Sequence, residues 1–244
     1  MHVLCIAMTN DSGSALPGSF SGGGAALLSE GSGQSSTCPP TRHRSKIMSK
    51  VKSLRNVFQI KVVLKGSKPP IWRRVLMPSD ITLDRLHTVL QICMGWTDTH
   101  LHQFICKREY YGVPDDDSAT EVKNEIGVKI SKWLKQEKDR IFYEYDFGDS
   151  WLHEIVLEKL LPYERKSKIS CLKGVRACPP EDCGGIYGYY DMIRVVSDEN
   201  NPEYEDMKEW VGEDFDPEYF NLTGTNKLLD EYIKFRKLSP VNDI

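Results

Sequence analysis

Strand-like alternation fills the middle of this chain, whereas helical spacing dominates its last third. Phe58, Ile60, Val62 and Leu64 are separated by single residues, as in a strand with one buried face. The chain therefore places its predicted strands before most of its predicted helices, instead of alternating the two. This order favours an α+β fold: a single compact domain with a mixed or antiparallel sheet packed against helices that are concentrated in the C-terminal third.

Hydrophobic periodicity, together with turn-forming and helix-capping residues, predicts the individual elements. Further strands are predicted over residues 71–77 and 99–108, and a β-hairpin is predicted over residues 141–147 and 151–157, joined through the turn at 148–150. Apolar residues at helical spacing predict one helix from Leu83 to a C-terminal stop near Gly95, with Thr82 at its N-cap position. The remaining predicted segments are an amphipathic stretch at 130–134 and helices near 186–197, 203–211 and 224–237.

Residues 1–52 have a different composition. They contain 7 Gly, 10 Ser and a single aromatic residue, Phe20, which is too little apolar surface to offset the entropy of ordering. A disordered leader over 1–52 and a folded domain over 53–240 are therefore predicted. Met48, which precedes the first patterned segment, is a candidate for the true start of translation.

Charge and cysteine content restrict the classes of function. The leader carries +3 and the remainder −6, which argues against holding a phosphate backbone by bulk charge. A basic cluster keeps a nucleic-acid-binding accessory protein as one alternative; it comprises Lys159, Arg165, Lys166, Lys168, Lys173 and Arg176. Seven scattered cysteines and the absence of a signal peptide or an 18-residue apolar run indicate a reducing compartment, the cytoplasm, and no membrane span.

Several short strings, in this order and spacing, resemble the plasmid pRiA4b ORF-3-like domain family across residues 54–235. They include Pro70-Ile71-Trp72-Arg73-Arg74, His100-Leu101-His102-Gln103-Phe104, the run from Tyr143 to Trp151, the run from Gly174 to Gly185, and Phe215-Asp216-Pro217. The resemblance implies an uncharacterised α+β domain associated with plasmids and mobile elements, and it supplies no catalytic residues. A serine-resolvase activity is not supported, because no serine lies among clustered arginines.

The hairpin turn is the first candidate site. Asp146, Asp149 and His153 lie close together in sequence beside Trp151, and two carboxylates with an imidazole can bind a ligand or metal or act as an acid/base set. Strand parity places His153 on the apolar face with Trp151, nearer Asp149 than Asp146. The structural alternative is that both aspartates stabilise the turn through backbone N–H groups while His153 is a satisfied, partly buried histidine.

The second candidate site is the loop Cys178-Pro179-Pro180-Glu181-Asp182-Cys183, preceded by Arg176 as a potential ion-pair partner for its carboxylates. The prolines stiffen this loop, and the glycines that follow permit close backbone approach. It is either a structural cap for the next helix or a binding site. A zinc site made of His153, Cys171, Cys178 and Cys183 is conceivable, but the cysteine spacing is atypical of zinc motifs.

Two further features each have a structural and a functional interpretation. His100 and His102 are spaced to chelate a metal from one strand face, yet no third ligand is evident, so packing is the preferred interpretation; His87 is interpreted as structural. Residues 199–218 contain nine Asp or Glu and one Lys, with aromatic residues interleaved up to Phe220. The segment 199–220 is therefore either a solvated helical face or a docking surface for a protein partner with basic groups.

The sequence thus favours a binding or interaction domain over an enzyme, with the hairpin turn and the loop Pro179-Pro180-Glu181-Asp182 together as its recognition surface. No phosphate-binding glycine loop, nucleophile elbow or zinc-protease helix motif occurs, and no cofactor is predicted beyond the zinc alternative. The rival hypothesis is a metal-assisted hydrolase that uses Asp149, His153, Glu181 and Asp182. Metal analysis of the purified protein distinguishes the two hypotheses. A site shared by both features requires that the hairpin turn and the Glu181–Cys183 loop line one pocket; if they lie on opposite faces, both are structural.

Overall fold

The computed structural model describes residues 56–114, 121–164 and 167–238. The predicted leader and the candidate start at Met48 lie outside these residues, as do Arg165 and Lys166.

Eight strands and four α-helices are formed, together with a 3₁₀ turn at Ile130–Lys132. The strands are β1 (Asn56–Leu64), β2 (Trp72–Pro78), β3 (His102–Cys106), β4 (Glu109–Gly112), β5 (Val122–Asn124), β6 (Arg140–Tyr145), β7 (Trp151–Pro162) and β8 (Ser170–Val175). The helices are α1 (Leu83–Met94), α2 (Gly185–Val196), α3 (Tyr204–Val211) and α4 (Leu222–Leu238).

All eight strands form one sheet in the order β5-β4-β3-β6-β7-β1-β2-β8. Every neighbouring pair is antiparallel except β4–β5, which is parallel. The α+β class with a mixed sheet and mostly C-terminal helices is therefore confirmed. The predicted hairpin is also confirmed, since β6 and β7 pair from Arg140↔Val156 to Tyr145↔Trp151.

Alternating burial along the long strands defines one apolar face of the sheet. In β1, Ile60, Val62 and Leu64 are buried, and β2 and β7 show the same alternation. Buried residues of α1, α2 and α4 join the same core. Helix α1 ends as predicted, because Gly95 adopts a left-handed conformation at φ 95° and donates its backbone N–H to the Gln91 carbonyl.

Both ends of the sheet differ from the sequence prediction, which contains no strand at β4, β5 or β8. The predicted strand at 99–108 ends at Cys106, and the chain returns as β4 after a tight turn in which Lys107 has φ 64°. Residues 170–175, where the sequence analysis predicts no strand, form the edge strand β8. This edge is covered by α4, because the Asn226 side chain exchanges two 2.9 Å hydrogen bonds with the Cys171 backbone.

Arg73 is the most unusual residue in the core, because its guanidinium is buried. It donates hydrogen bonds to the backbone carbonyls of Trp72, Cys93 and Val175 at 2.9–3.0 Å. Its guanidinium carbon also lies 4.0 Å from the ring centre of Phe220. Burial lowers the pKa of Arg73, and carbonyl dipoles and an aromatic face compensate for the lost water.

Gly174 is required beside this guanidinium. A Cβ atom there would lie 2.8 Å from Cδ of Arg73 and still closer to the ring of Phe220. We expect Gly174→Ala to lower the free energy of unfolding by about 1–3 kcal/mol, because neither neighbour can retreat from a packed core. Urea denaturation measures the change. Leu172→Ala, an exposed position of the same strand, is the control and should change the free energy by less than about 0.5 kcal/mol; equal effects would contradict this assignment.

Candidate functional site

The hairpin turn is built around Asp146, which directly follows β6. Asp146 has φ 56°, and its Oδ1 accepts hydrogen bonds from the backbone N–H groups of Gly148 at 2.9 Å and Asp149 at 3.3 Å. Asp tolerates the left-handed region better than most residues do. Asp146 therefore stabilises the turn, as the structural interpretation expected. The other two parts of that interpretation need correction, because the Asp149 carboxylate binds the next loop and the ring nitrogens of His153 have no hydrogen-bond partner of good geometry among the described residues.

Asp149 connects this turn to the loop that precedes α2. Its Oδ2 accepts a 3.2 Å hydrogen bond from the backbone N–H of Gly184, the N-cap residue of α2. The two backbones approach closely here, since a Cβ on Gly185 would lie 2.6 Å from the Asp149 carbonyl oxygen. The hairpin turn and the loop predicted from sequence are thus in direct contact.

Glu181 fastens the loop to the chain segment after α1. Its carboxylate accepts hydrogen bonds from the backbone and hydroxyl of Thr97 and from the hydroxyls of Thr99 and Tyr145. Desolvation, reinforced by the Glu181 carboxylate, raises the pKa of Tyr145 to about 12. Trp96 adds a 3.0 Å hydrogen bond from Nε1 to the Pro179 carbonyl.

His100 lies between the turn and the loop. Its Nδ1 is 3.7 Å from Oδ2 of Asp146, and its Nε2 is 3.3 Å from Oδ1 of Asp182. Asp182 has φ 59°, and its side chain is 73% exposed. We refer to Asp146, Asp149, Glu181, Asp182 and His100 together as the turn–loop junction. Asp182 is its most accessible carboxylate, because the other three are held by internal hydrogen bonds.

Trp151 and His153 lie in the core beneath the junction. Both are buried, and neither the Trp151 Nε1 nor either ring nitrogen of His153 has a hydrogen-bond partner of good geometry. His153 packs against the rings of Trp96 and Tyr143. Desolvation lowers the pKa of His153 to about 4. The residues of the hydrolase hypothesis are therefore separated, with three carboxylates at the junction and the imidazole in the core.

The hypothetical zinc set is not assembled. Among the described residues, two groups of three ligand atoms lie within 4.8 Å of one another, and neither includes Cys171, Cys178, Cys183 or His153. Burial raises the pKa of the Cys178 thiol, and it raises the pKa of the Cys183 thiol to about 12. Without a metal, both thiols therefore stay protonated rather than forming the thiolates that zinc requires. The interpretation of Arg176 also needs correction, because Arg176 pairs with Glu218 and not with the loop carboxylates.

A second polar cluster lies between α1 and the sheet. The imidazoles of His87 and His102 stack with their ring centres 3.5 Å apart and their planes 7° from parallel. His87 contacts Asp98 at 2.7 Å through Nε2 and the Tyr143 hydroxyl at 2.9 Å through Nδ1. His102 contacts both carboxylate oxygens of Glu125 at 3.0–3.1 Å. We call His87, Asp98, His102 and Glu125 the paired-histidine cluster.

Sequence reasoning missed this cluster because its members come from four separate segments. The sequence distance from His87 to Glu125 spans α1 and three strands. The available signal was helical spacing: His87 and Gln91 are four residues apart in α1 and both contact the Tyr143 hydroxyl. A polar pair at this spacing on the buried face of a helix indicates a polar partner opposite.

The segment 199–220 presents a third feature. All nine of its acidic side chains are exposed, and α3 buries none of its residues. Met207, Val211, Phe215 and Phe220 pack against the core. Trp210 and Tyr219 point elsewhere and are 52% and 61% exposed.

One cleft in the described part of the chain lies away from the turn–loop junction. It measures about 750 Å³ and is lined by residues of β1, β2, β7 and β8, among them Arg74, Lys159 and Lys173. No junction residue lines it. None of the described helices is both long and apolar enough to cross a membrane.

Comparisons with known proteins agree with the fold. A family profile described as plasmid pRiA4b ORF-3-like protein matches residues 56–224. The uncharacterized protein y4hQ of Sinorhizobium fredii (strain NBRC 101917 / NGR234) is 34% identical over 178 residues, which cover 72% of this chain and 92% of that relative. The crystal structure of protein of unknown function MM3350 from Methanosarcina mazei Go1 is 37% identical, with a TM-score of 0.64, and the match covers 70% of this chain and 98% of that one.

The two loop carboxylates should differ in their contribution to stability. We expect Glu181→Gln to cost about 1–2 kcal/mol, because an amide nitrogen would face hydroxyl and N–H donors. The matched change Asp182→Asn should cost less than about 0.5 kcal/mol, since the side chain is mostly in solvent and Asn also tolerates the left-handed region. Urea denaturation measures both. In Glu181→Gln, spectrophotometric titration should also show a lower pKa for Tyr145; no difference between the variants would contradict the fastening role of Glu181.

Burial of His153 predicts a pH dependence of stability. An unfolded histidine titrates near 6.5, whereas folded His153 titrates near 4, so between these values the unfolded chain binds the extra proton. The free energy of unfolding should therefore fall as the pH is lowered from 6.5 to 4, by about 1.4 kcal/mol per unit and about 3 kcal/mol in total from this residue. Urea denaturation across this range should show a smaller slope for His153→Leu than for the wild type. Equal slopes for the wild type and His153→Leu would rule out this contribution.

Proposed function

The chain belongs to the plasmid pRiA4b ORF-3-like family, and we propose that its domain, residues 53–240, is an interaction domain that docks a basic protein segment. The proposed docking surface, which we call the acidic-aromatic surface, is residues 199–220. The observation that carries the proposal is that the apolar side chains of this surface fall into two sets. One set packs against the core, whereas Trp210 and Tyr219 remain exposed.

The spacing of the apolar residues explains why these two aromatic rings are available. Met207 and Val211 are four residues apart in α3, and both pack inward. Trp210, three residues after Met207, lies at the edge of that stripe, and about half of its side chain is exposed. Tyr219 is adjacent to Phe220, whose ring is held over Arg73. Large aromatic side chains on an exposed surface are the residue type that most often anchors a protein partner.

Charge identifies the partner's chemistry. Nine acids and one Lys occupy residues 199–218, and within the described residues Glu218 is the one acid of the nine that forms an ion pair with a basic side chain, Arg176. Eight carboxylates thus remain to attract Lys and Arg from a partner and to accelerate its association. The same charges repel a nucleic acid backbone, which makes a protein segment the favoured ligand.

The turn–loop junction supports this surface. The 174–177 backbone continues into the loop, and the Ala177 N–H donates a 3.0 Å hydrogen bond to the Pro217 carbonyl. Arg176 pairs with Glu218 in the same region. In this proposal, the internally satisfied carboxylates of the junction hold the surface rigid, which lowers the entropic cost of docking.

We also propose a cytoplasmic location and an association with mobile genetic elements. The five described cysteines are all free thiols, as is usual in a reducing compartment. The family description refers to a plasmid protein.

Trp210→Ala and Tyr219→Ala test the proposed surface. Each should weaken binding of a fluorescent Lys- and Arg-rich peptide about tenfold or more, because an aromatic anchor commonly contributes over 1 kcal/mol. Fluorescence anisotropy at low and moderate salt measures the affinity, and a Glu-rich peptide of equal length should not bind. Phe147→Ala removes a half-exposed aromatic ring outside the surface and should leave the affinity unchanged. Unaltered binding in Trp210→Ala, or no salt-dependent binding by the wild type, would contradict the proposal.

A further inference from the structure

We propose that the paired-histidine cluster binds one divalent transition-metal ion, with His87, Asp98, His102 and Glu125 as ligands. Each ligand comes from a different segment: α1, the connection after α1, β3, and the connection after β5. One donor atom from each of His87, Asp98 and His102 lies within 4.8 Å of the others. Glu125 is joined to this group through its hydrogen bonds to His102. Glu125 is outside the group of three mutually close donor atoms, so it would complete a four-coordinate set of two imidazoles and two carboxylates only after the side chains adjust around the ion.

Burial and charge favour a cation at this position. The side chains of His87, His102 and Glu125 are only 7%, 8% and 7% exposed. Within the described residues, neither Asp98 nor Glu125 forms an ion pair with Lys or Arg; histidines are their ionic partners. Glu125 is buried, whereas the Asp98 side chain is 55% exposed, and a buried carboxylate is costly unless it is paired or coordinates a metal. A divalent ion would balance the two carboxylates together.

The surroundings orient the donors as a metal site requires. Tyr143, itself held by Gln91 at 3.0 Å, fixes the Nδ1 side of His87. This contact leaves Nε2, the atom that faces Asp98, as the donor. An outer hydrogen bond that fixes the ring of a ligating histidine is the usual arrangement in metal sites. The lone pairs of imidazole lie in the ring plane, so ion binding would tilt the two stacked rings apart and replace their hydrogen bonds to the carboxylates.

The donor types narrow the choice of metal. Imidazole suits zinc, cobalt, nickel, copper and iron, whereas calcium and magnesium prefer sites made only of oxygen. A buried site with two nitrogen and two oxygen donors therefore points to a borderline transition-metal ion such as Zn²⁺.

The other group of three ligand atoms is a weaker alternative. At the turn–loop junction, His100 directs different nitrogens toward Asp146 and Asp182, at 3.7 and 3.3 Å. Asp146 is occupied by backbone N–H groups of its own turn. This group does not present one imidazole nitrogen with two free carboxylates, and His100 therefore serves as the matched control.

Cobalt titration of the full-length, tag-free chain tests the site. After removal of metal with EDTA, Co²⁺ should bind in a 1:1 ratio and give the visible absorption of a four- or five-coordinate nitrogen/oxygen site, and Zn²⁺ should displace it. Added Zn²⁺ should also raise the melting temperature, since a ligand of the folded state stabilises it. His102→Gln, Glu125→Gln and Asp98→Asn should each weaken the apparent affinity about tenfold or more, while His100→Gln should leave it unchanged.

Each outcome decides the proposal. Loss of affinity in the cluster variants with retention in His100→Gln supports it. Absence of saturable 1:1 binding, or loss of binding in His100→Gln alone, overturns it. If the variants of the buried ligands do not fold, Asp98→Asn decides the question. The Asp98 side chain is 55% exposed, so this substitution should leave the fold intact. The peptide-docking assay uses different residues, so each proposal can fail without the other.

Discussion

The buried guanidinium of Arg73 joins α1, the strands β2 and β8, and the segment that leads into α4. It donates hydrogen bonds to three backbone carbonyls, and the ring of Phe220 packs against its face. One of these carbonyls, that of Cys93, belongs to the last turn of α1, where a positive charge also interacts favourably with the helix dipole. Gly174 leaves the space that this arrangement needs. The positions of the loop and of residues 215–220 relative to the sheet depend on this contact.

Carboxylates perform a second organising role on the outside of the core. Asp146 closes the hairpin turn, Asp149 holds the start of α2, and Glu181 holds the loop against Tyr145. These contacts make the junction a rigid connection, and they also occupy the groups that a hydrolase would need free. The imidazole that sequence spacing grouped with them, His153, is in the core, because Trp151, His153 and Ile155 alternate onto the buried face of β7.

The two proposals rest on side chains that these structural contacts do not use. The acidic-aromatic surface retains exposed rings and, within the described residues, eight acids that form no ion pair with a basic side chain. The paired-histidine cluster retains ionisable groups, all but Asp98 at most 8% exposed, whose ionic partners are one another. A metal ion in that cluster would tie α1 to β3 and to the connection after β5. Metal binding would then stabilise α1 and the sheet, whereas partner binding would take place on the acidic-aromatic surface at residues 199–220.

The sequence by itself determined the local elements and the fold class. The alternation of Ile60, Val62 and Leu64, the glycine stop at Gly95 and the hairpin turn at 148–150 are all local signals, and the strands, helix end and hairpin they predict are present. It also indicated that the hairpin turn and the loop are the main polar features, but not that they touch. Only the tertiary structure decided that Arg176 pairs with Glu218, that β8 is a strand, and that His87 stacks on His102. Periodicity reports which side of an element is buried, but contacts between distant segments depend on sheet order, which no local pattern of one sequence contains.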